Sequence, residues 1–181
     1  MTRIEIEKAL SGGDPRSLGR AGEIAELVLK NPRRLAALFE CLFSDDEIVR
    51  MRGSDALEKV CRRRPDLLVP FTERLLVEVS KIDQPSVQWH LAQILAEVPL
   101  EGNERRRAIA ILRRNLLRYD DWIVTNLTLE ALANFVRKSA RMRPSFCRLL
   151  EEHAHSRHKS VAKRAGNLLA EFGCGEKAGR P

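Results

Sequence analysis

Apolar residues recur along the chain in one pattern that returns about every 37 residues. The pattern appears first in the segment that begins at Val49. Outline copies of it begin at Val87, Val124 and Val161, and we call these four residues the anchor valines. In each copy a leucine stands eight residues after the anchor, and a valine or phenylalanine stands eleven residues after it. Self-similarity at a fixed period indicates a repeat architecture in which each unit is one supersecondary element.

The spacing within each copy predicts an amphipathic helix. Apolar residues at offsets 0, 4, 7, 8 and 11 return to one side of an α-helix, so each copy carries a stripe that must be buried. A proline stands 17 residues before three of the anchors, at Pro32, Pro70 and Pro144. Because proline is tolerated in the first turn of a helix, these positions predict the start of a preceding helix.

Each unit is therefore predicted to be a pair of helices joined by a short turn. The predicted pairs are 32–43 with 46–63, 66–80 with 85–98, 102–118 with 121–138, and 144–155 with 158–172. Asp45, Asp83 and Asp120 precede three of the anchors by four residues and are expected to cap the second helices. An incomplete unit precedes these pairs, and its second helix is expected to begin at Asp14 and Pro15, with its anchor near Ser17.

The proline of the first helix, the aspartate at the turn and the pair Val49-Arg50 in the second helix resemble a HEAT repeat. The resemblance covers roughly residues 15–173 and implies an all-α fold, an α-α superhelix (solenoid) of about four to five HEAT-like helical hairpins. We expect a single domain over residues 1–173, with units at about 1–30, 32–63, 66–98, 102–138 and 144–172. Residues 174–181 are expected to form a flexible tail.

In families of this shape the second helices line the concave side, so their polar side is where a ligand is expected. The candidate binding residues there are Trp89, His90, Gln93, Asn126, Glu130, Lys163 and Asn167. A solvated helix face is polar as well, which leaves a purely structural interpretation open. We expect Trp89 to be exposed and to be the best single anchor, because tryptophan is enriched at binding hot spots. Trp122 is instead expected to pack between neighbouring units with its N–H capped.

The charge of the chain is unevenly distributed. Residues 1–99 hold 15 Lys and Arg against 16 Asp and Glu, whereas residues 100–181 hold 17 against 9, out of a net charge of +7. The tightest basic cluster is Arg137, Lys138, Arg141 and Arg143. A field of one sign favours partners of the opposite sign, which suggests an acidic protein and leaves nucleic acid open. A solvated basic surface is the alternative interpretation.

The sequence offers no arrangement that predicts catalysis, a cofactor or a metal site. His153, His155 and His158 are spaced so that the first two point apart on a helix, which disfavours zinc. The cysteines Cys41, Cys61, Cys147 and Cys174 form no close pair, so we expect thiols rather than disulfides. We expect no membrane span, because the chain has no run of about 18 apolar residues. We expect no signal peptide, because residues 1–10 lack an apolar core, and hence a cytoplasmic protein.

These patterns predict a non-enzymatic HEAT-repeat scaffold, a monomer or weak dimer, that binds an acidic protein partner on its concave face. The alternative is a nucleic-acid-binding protein related to the HEAT-like alkylpurine DNA glycosylases. That family uses a basic concave surface with aromatic residues and an essential aspartate. In this chain Asn126 lies one turn after Trp122, where a carboxylate would have strengthened the comparison.

Overall fold

The computed structural model describes residues 1–14 and 16–174, and every regular element in those residues is a helix. The chain divides into two compact units, Met1–Ile111 and Leu112–Pro181. The predicted tail lies outside the described residues apart from Cys174, and so does Pro15, which was predicted to help begin a helix. No helix in the described part of the chain is both long and apolar enough to cross a membrane.

The first unit contains six helices and the start of a seventh among its described residues. They are α1 (Arg3–Leu10), α2 (Ala21–Lys30), α3 (Leu35–Glu40), α4 (Glu47–Arg63), α5 (Thr72–Val77), α6 (Pro85–Glu97) and α7 (Gly102–Arg118). Helix α4 packs between α2 and α6, and α1 packs against α3 and α4. The core of the unit is built of leucines and other apolar side chains from these helices, such as Leu38, Leu57, Leu75 and Leu95.

The second unit contains the end of α7 and three further helices. They are α8 (Trp122–Arg137), α9 (Arg143–Ala154) and α10 (Lys159–Glu171). Helix α10 packs against both α8 and α9. Phe146 of α9 is buried in this core, and its ring meets the ring of Phe172 edge-on with the centroids 5.5 Å apart. The described part of this unit is thus a small bundle in which α10 contacts both of the helices that precede it.

The four predicted helical pairs lie where the periodicity places them, with boundaries that differ by at most one residue. The first helices of two pairs are nevertheless not continuous. Helices α3 and α5 are six-residue α-helices between 3-10 turns, with Pro32 opening the turn before α3 and Pro70 inside the turn before α5. Pro70 lies inside its segment and has no N–H to donate, so the α-helical hydrogen bonds cannot run through it, whereas Pro32 stands at a first position, where its N–H is not needed. Helix α7 contains no proline and runs unbroken for 17 residues.

Each anchor valine is the third residue of its helix, in α4, α6, α8 and α10, and none is more than 2% exposed. The predicted aspartate caps are wrong by one residue for two helices. Asp46 caps α4, and Asp121 caps α8 by accepting from the N–H groups of Ile123 and Val124. Asp120 instead forms an ion pair with Arg157. The side chain of the residue next to the helix reaches the free N–H groups, which explains the difference.

The expectation that all four cysteines are thiols is wrong for one pair. Cys147 of α9 forms a disulfide with Cys174, with the two Cα atoms 5.5 Å apart. The short turn between α9 and α10 brings the start of α9 beside the end of α10. The separation of 27 residues in sequence does not by itself predict that the two cysteines are close. Cys41 and Cys61 are buried thiols, and burial raises the pKa of each to about 12.

The loop between α1 and α2 is organised by Arg52, a cation that is only 3% exposed. Its guanidinium donates to the backbone carbonyls of Leu10, Gly12, Asp14 and Ser17, all between 2.6 and 2.9 Å away. Ser17, predicted to lie near a buried helical anchor, is exposed in this loop, and α2 begins only at Ala21. The predicted anchor of the incomplete unit is therefore wrong.

Candidate functional site

The candidate residues of the first unit lie in a buried polar network. Trp89 is half-buried rather than exposed, and its Nε1 donates to Nε2 of His90 over 3.0 Å. His90 is 6% exposed, and its Nδ1 lies 2.9 Å from Oγ of Ser54. The expectation that Trp89 is exposed is therefore wrong, and its indole N–H is hydrogen-bonded inside the protein. Gln93, one turn further along α6, is half-buried.

The direction of these hydrogen bonds argues against chemistry at Ser54. Oγ of Ser54 donates its proton to the carbonyl of Met51 over 2.8 Å, so it accepts from Nδ1 of His90. Nε2 of His90 then accepts from Trp89, and Asp55, which pairs with Lys59, lies 3.6 Å from that nitrogen. Burial lowers the pKa of His90 to about 4. The imidazole is therefore neutral and links Trp89 to Ser54 within the core. Ser54 is 1% exposed, so a substrate cannot reach it.

The candidate residues of the second unit, in contrast, surround an open groove. Asn126, Lys163 and Asn167 lie on facing sides of α8 and α10 and line a groove of about 490 Å³. We call it the α8/α10 groove. Its full lining is Trp122, Ile123, Asn126, Leu127, Ser160, Lys163, Arg164 and Asn167. The groove combines apolar, amide and cationic groups, which is typical of a site that holds a ligand in one orientation.

Trp122 is the exposed large apolar residue of this groove. The indole is 50% exposed, so the expectation that it packs between repeat units is wrong. Asp121 ends the preceding turn by capping α8, which makes Trp122 the first helical residue. Side chains in a helix tilt toward its N-terminus, so the first one extends beyond the packed surface. Two consecutive aspartates before Trp122 were the sequence signal that could have predicted this exposure.

Asn126 lies one turn after Trp122 on the same side of α8. The residue is 8% exposed, and its Nδ2 donates to Oγ of Ser160 over 3.2 Å. Its Oδ1 is buried and accepts no hydrogen bond from the described residues. Buried polar atoms are nearly always paired, so this oxygen is an exception among the described residues.

The charge of the groove is positive. Lys163 is exposed, and Arg164 donates to Oε2 of Glu130 over 2.7 Å. Glu130 also pairs with Arg137 through its other oxygen, so this predicted binding residue lies in an ion network rather than in the lining. Among the lining residues that the structure describes there are two cations and no carboxylate.

The predicted basic cluster is partly neutralised. Arg137 binds both Glu130 and Glu171, and the hydrogen bond from Arg137 lowers the pKa of the Glu171 carboxyl. Lys138, Arg141 and Arg143 are exposed. The three histidines of residues 153–158 do not converge: among the described residues no three His, Cys, Asp or Glu side chains are placed to hold a metal.

The chain matches no protein-family model, and no curated protein matches it either.

Proposed function

We propose that this protein is a non-enzymatic HEAT-repeat interaction scaffold whose α8/α10 groove binds an acidic segment of a protein partner. One observation carries the proposal: the groove places a half-exposed indole beside the exposed Lys163, with no carboxylate among its lining residues. Cations that line a groove favour a partner of opposite charge and raise the rate of encounter.

An exposed amide in the groove suits the backbone of an extended segment. Asn126 is 8% exposed and its amide donates to Ser160 inside the protein, so the amide open to a ligand is that of Asn167. Asn167 is exposed and supplies both a donor and an acceptor. Lys163 then pairs with a carboxylate of the segment, and Trp122 covers an apolar side chain. Asn167 provides affinity for any extended chain, whereas Lys163 selects an acidic one.

The helical positions support the HEAT-like part of the proposal. The four anchors occupy the same place in four helices, at separations of 38, 37 and 37 residues. One helical pair cannot bury its apolar stripe alone, which is the reason that such units occur in arrays. Surfaces of repeat arrays are well suited to extended ligands.

The experiment is a binding titration with two labelled peptides that differ only in charge. One alternates glutamate with valine, and the other alternates lysine with valine. The glutamate peptide should bind, and Lys163→Glu or Trp122→Ala should weaken it about tenfold. Lys159→Glu is the matched control, because Lys159 is exposed at the start of α10 but does not line the groove. Equal binding of both peptides, or no effect of Lys163→Glu, would overturn the proposal.

Nucleic-acid binding is the second candidate, and the exposed Trp122 between cations is the observation that favours it. An indole can stack on an unpaired base while nearby cations contact the phosphates. One observation argues against a base-excision reaction. The glycosylase comparison requires a carboxylate one turn after Trp122, where this chain has Asn126, and the described lining residues include no carboxylate. A titration with single-stranded and duplex DNA at rising salt distinguishes the candidates, because phosphate contacts give an affinity that falls steeply with salt.

A further inference from the structure

The second unit has another groove, formed by the first helices of its pairs. It is lined by the end of α7 and by α9, encloses about 470 Å³, and shares no residue with the α8/α10 groove. We call it the α7/α9 groove. Its lining is Arg113, Leu116, Leu117, Ser145, Arg148, Leu149, Glu152 and His153.

The floor and one wall of this groove are apolar. Leu117 is 90% exposed, the highest value among the large apolar residues that the structure describes as exposed. Leu116 and Leu149 beside it are half-buried. An isolated exposed leucine is common on protein surfaces, but three leucines lining one groove form a contiguous apolar surface that water solvates poorly.

The rim of the groove is basic at one end and mixed at the other. Arg113 donates to Oγ of Ser145 over 3.1 Å, which fixes its guanidinium at the start of the groove. Arg148 is exposed midway along α9. Glu152 and His153 lie at the far end, and Nδ1 of His153 is held 2.9 Å from the carbonyl of Leu149. An apolar floor between two arginines favours an apolar ligand with acidic flanks.

The length of the groove indicates the shape of the ligand. The lining residues of α9 run from Ser145 to His153, which corresponds to about 12 Å along a helix and thus to about two turns. A second helix laid along this length presents apolar side chains at i, i+3 or i+4, and i+7.

We propose that the α7/α9 groove is a docking site for an acidic amphipathic helix of a partner protein, with Leu117 as the apolar contact and Arg113 and Arg148 as the charge contacts. The site is separate from the α8/α10 groove, and it stands whether or not that groove binds an extended segment. A partner that offers both kinds of segment could engage the two grooves together.

The test uses a labelled helical peptide of about 16 residues, long enough to form a helix, with leucines three and four positions apart and glutamates on both flanks. Binding is followed by fluorescence anisotropy. We expect Leu117→Gln and Arg148→Glu each to weaken binding about tenfold or more. Ile4→Gln and Arg141→Glu are the matched controls, since Ile4 is 76% exposed and Arg141 is exposed, both outside the groove. The controls should change the affinity less than about twofold.

The position of the peptide is then mapped from the backbone amide signals in an NMR titration. Shifts confined to residues 113–117 and 145–153 support the proposal. Shifts centred on residues 122–127 and 160–167, an affinity unaffected by Leu117→Gln, or no saturable binding up to about 1 mM would overturn it. It would equally be overturned if Leu117→Gln dissociated a dimer of the chain or released it from vesicles containing phosphatidylserine, because the occupant would then be a second copy or a membrane.

Discussion

Replacing Arg52 by methionine tests how the N-terminal helix is held. Methionine replaces the stem of the arginine side chain but has no donors, so all four hydrogen bonds from the guanidinium to the backbone carbonyls of the α1–α2 loop are lost. Arg52 contacts carbonyl groups rather than a carboxylate here, and one of these carbonyls belongs to Leu10 at the end of α1. The positive charge therefore also complements the C-terminal end of the α1 dipole.

The magnitude follows from the burial of the acceptors. A hydrogen bond from a charged donor contributes about 1.5–3 kcal/mol, which would give about 6–12 kcal/mol if all four acceptors remained unpaired. Most of the described loop residues between 11 and 20 are exposed, so water can hydrogen-bond to three of the four carbonyls in the variant. Only the bond to the carbonyl of Leu10 is buried. We therefore expect the free energy of unfolding to fall by about 2–4 kcal/mol and the Tm by about 5–15 °C.

The assay is urea unfolding followed by circular dichroism, together with hydrogen exchange of the α1 amides. Arg33→Met is the control, because Arg33 is exposed, and it should change the free energy of unfolding by less than about 0.5 kcal/mol. If Arg52→Met costs less than about 1 kcal/mol and leaves the protection of α1 unchanged, the guanidinium does not hold the loop.

Three further predictions address separate parts of the molecule. Gly19 has φ of +50°, and an added Cβ would lie 3.0 Å from the guanidinium of Arg52, so Gly19→Ala should lower the free energy of unfolding by about 1–2 kcal/mol; an unchanged urea midpoint would contradict this. Cys147→Ser removes the disulfide to Cys174 and should cost about 2–4 kcal/mol under oxidising conditions and nothing in reductant, as urea unfolding with and without dithiothreitol will show. Burial lowers the pKa of His90 to about 4, so the unfolded chain binds more protons between pH 6.5 and 4, and stability should fall by up to about 3 kcal/mol as the pH drops through that window. His90→Gln should flatten this dependence in unfolding curves measured from pH 7 to 4, and an equally steep loss in the variant would rule out His90 as its source.

The helices were predictable from sequence because they depend on residues that are close together in the chain. An apolar stripe must face a core, and the spacing of the anchor valines fixes both the helix and its buried side. The cap residues were predicted one position early at Asp45 and Asp120, because the sequence shows an acidic pair without showing which carboxylate reaches the N–H groups. The break before α5 follows from Pro70, whose position inside the segment was known from the sequence but was interpreted as the start of a helix.

The candidate site was predictable only in part, since it depends on which helices meet. Asn126, Lys163 and Asn167 were predicted from the polar side of the second helices, and the structure brings them to one groove. The exposure of the two tryptophans was predicted wrongly, because Trp89 was expected to be exposed and Trp122 to be packed. Trp89 is half-buried because His90, its neighbour in the chain, accepts its N–H, and Trp122 is exposed because the helix begins there. Neither fact can be derived from the period of apolar residues.

A charge exchange between protein and peptide tests the central claim most directly. Binding is measured for the unchanged protein and for Lys163→Glu. The ligands are the glutamate peptide and versions of it in which one glutamate at a time is replaced by lysine. If the α8/α10 groove selects an acidic segment through Lys163, the variant should lose the original peptide and regain affinity for one of the exchanged peptides, while the unchanged protein shows the opposite preference. Binding of the original peptide by both proteins with the same affinity would contradict the assignment of this groove.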